Sequence, residues 1–166
     1  MSNAPGSTPP APSRPQMPAD YGVPATTDGL LPWSYVVERL TAARNYWIGT
    51  ARPDGRPHAV PTWGVWVNDT LYFGGSPETR WARNLAANPR VSVHLESADE
   101  VVILEGSVTK LTEANADPAL LTRLDDAYEA KYNMRHGTPF WRLRPSLVLA
   151  WQDFFKTATR WTFDGA

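Results

Sequence analysis

The sequence predicts a mainly β protein, built as a small β-barrel with flanking helices. Short strand-like runs of apolar residues recur along most of the chain. Two turn signals, Asp54-Gly55 and Asn68-Asp69, lie between such runs and predict hairpins. Helical spacing of apolar residues is confined to short segments between the strands, which is typical of a barrel with helices at its edges.

These patterns define the individual elements. The predicted strands span residues 45–51, 57–66, 70–73, 91–95, 101–111, 146–151 and 159–163, and the predicted helices span 31–43, 78–87 and 117–132. The first three strands are expected to form an antiparallel meander. Gly106 predicts a bulge in its strand, and Asp117-Pro118 predicts the start of the last helix. Trp141 is assigned to the Gly- and Pro-containing loop after that helix.

Composition excludes several classes of function. The formal net charge of −1 gives no electrostatic drive toward nucleic acids or membrane surfaces, so neither is an expected partner. Cysteine is absent, which excludes thiolate metal sites and cysteine nucleophiles and favours a cytoplasmic location. His94 and His136 are too isolated to indicate a metal or heme ligand. The sequence contains no catalytic triad and no Walker-type glycine loop.

The chain divides into a tail and one domain. Residues 1–29 are rich in Pro, Ser and Ala and have almost no hydrophobic pattern. Such a segment buries too little apolar surface to offset the entropy lost on ordering, so it is predicted to be a disordered tail. Residues 30–166 form the predicted folded domain, which is long enough to bury a substantial core.

The segment from Ser76 to Leu85 is the first candidate site. Its predicted helix begins next to a strand and carries Thr79, Arg80 and Arg83 in its first turns. Unpaired N–H groups and a partial positive charge at a helix start attract anions. An arginine there adds parallel donors that match phosphate oxygens. A phosphate site is therefore predicted, against the alternative that these basic residues only face solvent.

The same segment resembles a known family. Phe73-Gly74-Gly75, then Thr79-Arg80-Trp81, and then Arg83-Asn84-Leu85 before Asn88-Pro89-Arg90-Val91 are similar to the flavin-binding split β-barrels related to pyridoxamine 5′-phosphate oxidase. The resemblance covers about residues 33–111 and implies a split β-barrel of the FMN-binding type. It implies that Thr79 and Arg80 bind the cofactor phosphate. Trp81 stands where the family has lysine, and Arg83 is expected to compensate. Trp81, Arg83 and Asn84 are all counted among the expected cofactor-binding residues.

The resemblance implies two further groups of site residues. In similar proteins the strand that here contains His58 lines the flavin, with His58 near a phosphate-binding arginine position. Val60, Pro61, Thr62 and Trp63 are then expected to border the isoalloxazine ring. The C-terminal strand of similar proteins crosses toward the partner subunit, so Arg160 is a candidate contact to phosphate or to a substrate carboxylate.

The predicted function follows from the resemblance. It is a homodimeric oxidoreductase that uses FMN or the deazaflavin F420, with F420 slightly preferred, to transfer a hydride to or from a small organic substrate. Arg83, Arg90 and Arg160 could serve the anionic tail of F420. The eight tryptophans fit packing in the core and at a subunit interface. The alternatives are a non-catalytic protein that stores FMN, F420 or heme, and a lipocalin-like carrier of apolar ligands.

Overall fold

A computed structural model describes residues 8–163 of the chain. The helices are α1 (Trp33–Ala42), α2 (Arg80–Ala87), α3 (Pro118–Tyr132) and the short α4 (Phe154–Thr157). The strands are β1 (Tyr46–Ala51), β2 (Pro57–Thr62), β3 (Gly64–Val67), β4 (Thr70–Gly74), β5 (Arg90–His94), β6 (Val101–Leu111), β7 (Phe140–Trp151) and β8 (Thr159–Thr162). The mainly β prediction is confirmed.

One antiparallel sheet curls into the barrel. Its strands run in the order β2-β1-β5-β6-β7-β4-β3, and β8 pairs with β7 outside this path. The two ends of the path, β2 and β3, are consecutive in the chain with only Trp63 between them. The two edge strands of the sheet are therefore joined through Trp63, although they do not pair with each other. This order differs from the sequential order of an up-and-down barrel, so the lipocalin-like alternative does not hold.

The predicted meander of the first three strands is wrong. The predicted strand 57–66 is broken at Trp63 into β2, which pairs with β1, and β3, which pairs with β4. The break is fixed by contacts to α3, because the Tyr128 hydroxyl donates to the Trp63 carbonyl oxygen at 2.9 Å. Gly64 permits the close passage, since a Cβ there would lie 2.8 Å from the Tyr72 carbonyl oxygen.

Strand β7 starts six residues before the predicted strand 146–151, at Phe140. Trp141 therefore lies in a strand and not in the predicted loop. Its partners are Phe73 on β4 and Lys110 on β6, so this half of β7 is stabilised by pairing with distant segments. Local patterns do not reveal such pairing, and the nearby Gly137 and Pro139 favoured a loop prediction.

Two local predictions are confirmed. The register of β6 against β7 shifts between Glu105 and Gly106, which is the bulge expected at this glycine. At the start of α3, the Asp117 side chain accepts a hydrogen bond from the Ala119 backbone N–H at 3.0 Å. This is the N-cap that the Asp-Pro pair predicted.

The core fills the inside of the barrel and continues under α1, α2 and α3. Trp161, Tyr46, Tyr128 and Phe73 are among its largest fully buried side chains. Trp161 also packs edge-to-face against Trp33 of α1 at a centroid distance of 5.4 Å. Within residues 8–163, none of the helices has both the length and the apolar character needed to cross a membrane.

The described part of the predicted tail lies against β8. Ser13 and Arg160 form an isolated antiparallel bridge, with backbone N–O distances of 2.9 and 2.7 Å. The Arg14 guanidinium donates to the carbonyl oxygens of Ala158 and Thr26, both at 2.9 Å. Residues 1–7 of the predicted tail lie outside the described residues, and the proposed boundary between tail and domain stays a prediction.

Candidate functional site

The free edge of β2 borders the candidate site. Within residues 8–163, β2 pairs only with β1, so its other edge carries peptide groups without sheet partners. His58 is paired directly with the buried Thr50 of β1, and directly paired residues share one face of a sheet. By alternation, His58, Val60 and Thr62 face inward, toward α2 and the core, which leaves the edge open to a ligand.

The N-terminus of α2 lies beside β1 and β2 and packs against both strands. Thr79 is its N-cap: the Oγ1 atom accepts from the Ala82 N–H at 3.4 Å and donates to the Ser76 carbonyl oxygen at 2.8 Å. The Thr79 hydroxyl is therefore engaged by the helix cap. The N–H groups of Arg80 and Trp81, in the first turn, have no intrahelical acceptor.

The guanidinium groups of Arg80 and Arg83 differ in whether they already have partners within the protein. Arg80 is exposed, and its guanidinium makes no hydrogen bond or ion pair to any residue in the described range. Arg83 donates to the Glu78 carbonyl oxygen from Nη2 at 2.7 Å and from Nε at 3.1 Å. Its guanidinium also lies 3.8 Å from the Glu78 carboxylate. Of the two, Arg80 is the free cation at the start of α2.

Asn84 connects α2 to β1. Its side chain is fully buried, and Nδ2 donates to the Thr50 Oγ1 at 2.9 Å. The Oδ1 atom has no hydrogen-bond partner in the described part of the chain. Asn84 lies one turn after Arg80 on the same side of the helix. The hydrogen bond of Asn84 therefore fixes the position of α2 along β1, next to the strand pair that carries His58.

The side chain of Trp81 points into the core. It is only 6% exposed, and its ring lies 4.6 Å from the Trp141 ring and 5.6 Å from the Phe73 ring, between centroids. Gly75 leaves room for it, because a Cβ at that position would lie 2.6 Å from the Trp81 ring. The side chain of Trp81 is therefore unavailable to a ligand at the start of α2, and this residue can contribute only its backbone N–H there.

A cleft of about 380 Å³, called here the Trp63 cleft, lies where β2 ends. Pro61, Thr62 and Trp63 contribute to its lining, together with Gly74 and His136. The Thr62 hydroxyl lies 3.4 Å from the Gly74 carbonyl oxygen and so joins the ends of β2 and β4. Gly74 is required by space, since its Cβ would lie 2.5 Å from the His136 ring.

Three residues near this cleft were missed by the sequence predictions: Tyr132, Lys131 and Arg44. Tyr132 stacks on Trp63 with a centroid distance of 4.5 Å and an interplanar angle of 6°. The Lys131 ammonium donates to the Tyr46 hydroxyl at 2.8 Å and to the Gly64 carbonyl oxygen at 2.9 Å. Burial, and then the nearby charge of Arg44, lower the pKa of Lys131 to about 8. Of these residues only Tyr132 had a signal in the sequence, since it follows Leu124 and Tyr128 at helical spacing and so falls on the inner face of the predicted helix 117–132.

Arg160 lies apart from α2, on the outer face of the barrel. The directly paired residues Trp47, His94, Ile103, Leu149 and Arg160 form one row across five strands. The Arg160 Nε donates to the Ser13 hydroxyl at 3.2 Å. The same face carries an outer cleft of about 500 Å³, whose lining includes Gly49, Ala59, Ser92 and Arg90.

The predicted residues thus fall into three places. Thr79, Arg80, Arg83 and Asn84 belong to α2 and its cap, beside His58 and Val60 of β2, and His58 also lines the outer cleft; Pro61, Thr62 and Trp63 line the Trp63 cleft; Arg160 lies on the outer face. The side chain of Trp81, also predicted to contact the cofactor, lies in the core instead. The first two places are continuous along β2. Together they offer free peptide groups, an aromatic wall and a free guanidinium at a helix start. This donor set fits a planar heterocycle that carries a phosphate.

Solved structures with this architecture support the fold. A conserved hypothetical protein from Mycobacterium tuberculosis is 20% identical, with a TM-score of 0.62 over 76% of this chain and 88% of that chain. A FAD-binding protein from Mesorhizobium loti is 21% identical, with a TM-score of 0.60 over 81% and 96%. A heme-binding protein from Mycobacterium smegmatis is 18% identical, with a TM-score of 0.60 over 78% and 58%.

The family assignment comes from the sequence profile. A comparison with curated proteins found no match. The profile of the family described as pyridoxamine 5′-phosphate oxidase matches residues 35–152, which is well over half of the chain. This range contains β1 to β7 and both α2 and α3. The chain belongs to the pyridoxamine 5′-phosphate oxidase family, and its barrel is the split β-barrel of that family.

Proposed function

We propose that this protein is an oxidoreductase that binds F420 or FMN and transfers a hydride to or from a small organic substrate. The observation that carries the proposal is the free edge of β2 beside the start of α2, where Arg80 has no partner in the described chain. Family membership supports a flavin-type cofactor. The FAD-binding protein from Mesorhizobium loti supports it as a structural relative.

In this proposal, different residues contact the phosphate and the ring of the cofactor. The Arg80 guanidinium, the first N–H groups of α2 and the inward-facing His58 would hold the phosphate. At the free edge of β2, the N–H and C=O of Ala59 and the C=O of Pro61 would pair with the polar rim of the ring. Val60 and Thr62 turn their peptide groups toward β1 and would border the ring through their side chains. When bound, the cofactor supplies the hydride chemistry, which the side chains of this protein do not provide.

The chain itself positions these groups. The buried hydrogen bond from Asn84 to Thr50 holds α2 against β1, and so keeps Arg80 at a fixed distance from β2. The stacked Trp63 and Tyr132 rings close the end of the groove with apolar surface. A rigid groove favours one orientation of a bound ring over others.

Titration of the purified apo-protein with F420 and with FMN tests the proposal. Binding is followed by the absorbance of the cofactor and by quenching of tryptophan fluorescence. We place F420 first, because the exposed Arg90 is available to its anionic tail, whereas Arg83 is tied to Glu78. Failure of both cofactors to bind at micromolar concentrations would reject the proposal.

The Arg80→Ala variant is expected to weaken cofactor binding by about tenfold or more. Loss of one charge-assisted hydrogen bond to phosphate costs roughly 1.5–3 kcal/mol, and 1.4 kcal/mol corresponds to about a factor of ten. The dissociation constant from the titration above is the measurement. Arg123→Ala is the matched control, because Arg123 is an exposed arginine on α3. A folded Arg80→Ala protein with unchanged affinity would remove Arg80 from the site.

We also propose that the protein is a homodimer joined through the outer face. Trp47, Ile103 and Leu149 are half-buried apolar residues in the cross-strand row on that face, and the outer cleft adds small side chains beside them. A second copy would cover this surface and bring its own Arg160 toward the groove. Sedimentation equilibrium should give twice the monomer mass, and Ile103→Asp should shift it to the monomer. A monomeric wild-type protein at micromolar concentration would contradict the proposal.

A non-catalytic carrier is the second candidate function. The structural likeness to a heme-binding protein favours testing heme together with the flavins. A Soret band that appears in stoichiometric titration would favour heme. A tightly bound flavin that no electron acceptor reoxidises would favour storage over oxidoreductase activity.

A further inference from the structure

One wall of the Trp63 cleft is the ring of Trp63, and Tyr132 covers one face of that ring. Tyr132 stacks on one face of Trp63 at 4.5 Å, yet Trp63 remains 37% exposed. Large aromatic side chains are usually more deeply buried, and the exposed surface of Trp63 lines the cleft. This surface is large enough for a second planar group to stack on it.

Two cations lie against this wall. The Arg44 guanidinium carbon is 5.9 Å from the centroid of the Trp63 ring and 5.6 Å from that of Tyr132. The Lys131 ammonium is 5.3 Å from the Tyr132 centroid. Neither cation forms an ion pair within residues 8–163. The Arg44 guanidinium also makes no hydrogen bond there, so its planar set of donors is available.

The carboxylates around the cleft do not neutralise these cations. Asp125 accepts from the backbone N–H groups of His136 and Gly137, at 3.1 and 2.7 Å. Glu96 lies 3.4 Å from the Asn45 side-chain amide. Burial, and after it the nearby charge of Arg44, lower the pKa of Lys131, and an anion placed between the cleft and Arg44 would relieve the second of these effects.

We infer that the Trp63 cleft binds a planar organic anion, with its ring stacked on the exposed surface of Trp63 and its carboxylate directed at Arg44. This inference rests on the proposed function, because it names the substrate class of that site as an aromatic carboxylate. The stack selects a flat ring, and the guanidinium selects a carboxylate over a neutral amide of the same shape.

The probes are 2-naphthoate and its neutral analogue 2-naphthamide, each titrated into the full chain by calorimetry. We expect naphthoate to bind about tenfold more tightly than the amide, as one charge-assisted contact implies. Arg44→Met should abolish that preference, whereas Arg123→Met should preserve it. Equal affinities for the two probes, or a preference that survives in Arg44→Met, would overturn the inference.

Cofactor titrations separate this inference from the proposed function. If F420 and FMN fail to bind while the Arg44-dependent preference persists, the anion site stands and the oxidoreductase proposal falls. If a cofactor binds but naphthoate shows no preference, only the anion site falls. Competition between naphthoate and the bound cofactor would place both in one pocket, and would overturn the assignment of the anion as substrate.

Discussion

Trp81→Lys is expected to destabilise the protein by roughly 3–5 kcal/mol and to bring no gain in phosphate binding. The substitution restores the lysine that the family resemblance leads one to expect at this position. The side chain at residue 81, however, points between Phe73 and Trp141 and is only 6% exposed. Removing the indole leaves a cavity, and the buried ammonium has no counter-ion. Urea unfolding measures the loss.

The control for this prediction is Ala86→Lys, which adds the same charge to an exposed position of α2. Its stability should lie within about 0.5 kcal/mol of the wild type. The two variants separate the effect of charge on the helix from the effect of burial. A Trp81→Lys protein that is as stable as Ala86→Lys and binds cofactor more tightly would contradict the placement of Trp81 in the core.

Gly106→Ala should destabilise the barrel by about 3 kcal/mol, at the upper end of the usual cost of overpacking. A Cβ at this position would lie 2.0 Å from the Arg144 carbonyl oxygen and 2.8 Å from the Pro145 Cα, both backbone atoms of the paired strand β7. These atoms cannot move without separating β6 from β7 at the bulge. The midpoint of urea unfolding is the measurement.

Ser107→Ala is the neighbouring control, because it removes an oxygen and adds no atom near β7. We expect a change within about 0.5 kcal/mol. If Gly106→Ala unfolds at the same urea concentration as Ser107→Ala, then the strands tolerate a side chain at the bulge. The close approach of the two backbones would then not explain why glycine occupies this position.

Local signals in the sequence were sufficient for most elements of the fold. The bulge at Gly106 and the cap at Asp117 depend on a single residue and its immediate neighbours, and both are present. The break at Trp63 and the early start of β7 depend on pairing between segments distant in the chain. An alternating run looks the same whether it pairs with one strand or is divided between two. For this reason the predicted meander was wrong.

The candidate site shows the same limit. The motif around Thr79 and Arg80 directed attention to the start of α2, and the structure leaves Arg80 free there. The motif could not reveal that the side chain of Trp81 turns inward, since that depends on Trp141 of β7. Arg44 and Lys131 had no pattern in the sequence, because Trp63 and Tyr132 bring them together only after α3 has packed on the barrel.

The single-residue joint between β2 and β3 restricts how far the molecule can be redesigned. Three consecutive residues span at most about 7 Å between their outer Cα atoms. Thr62 and Gly64 are such a pair, so the end of β2 and the start of β3 cannot separate at Trp63. A wider gap between these two strand ends requires a longer covalent link. Chain connectivity thereby sets the separation of the two edge strands of the sheet at this point.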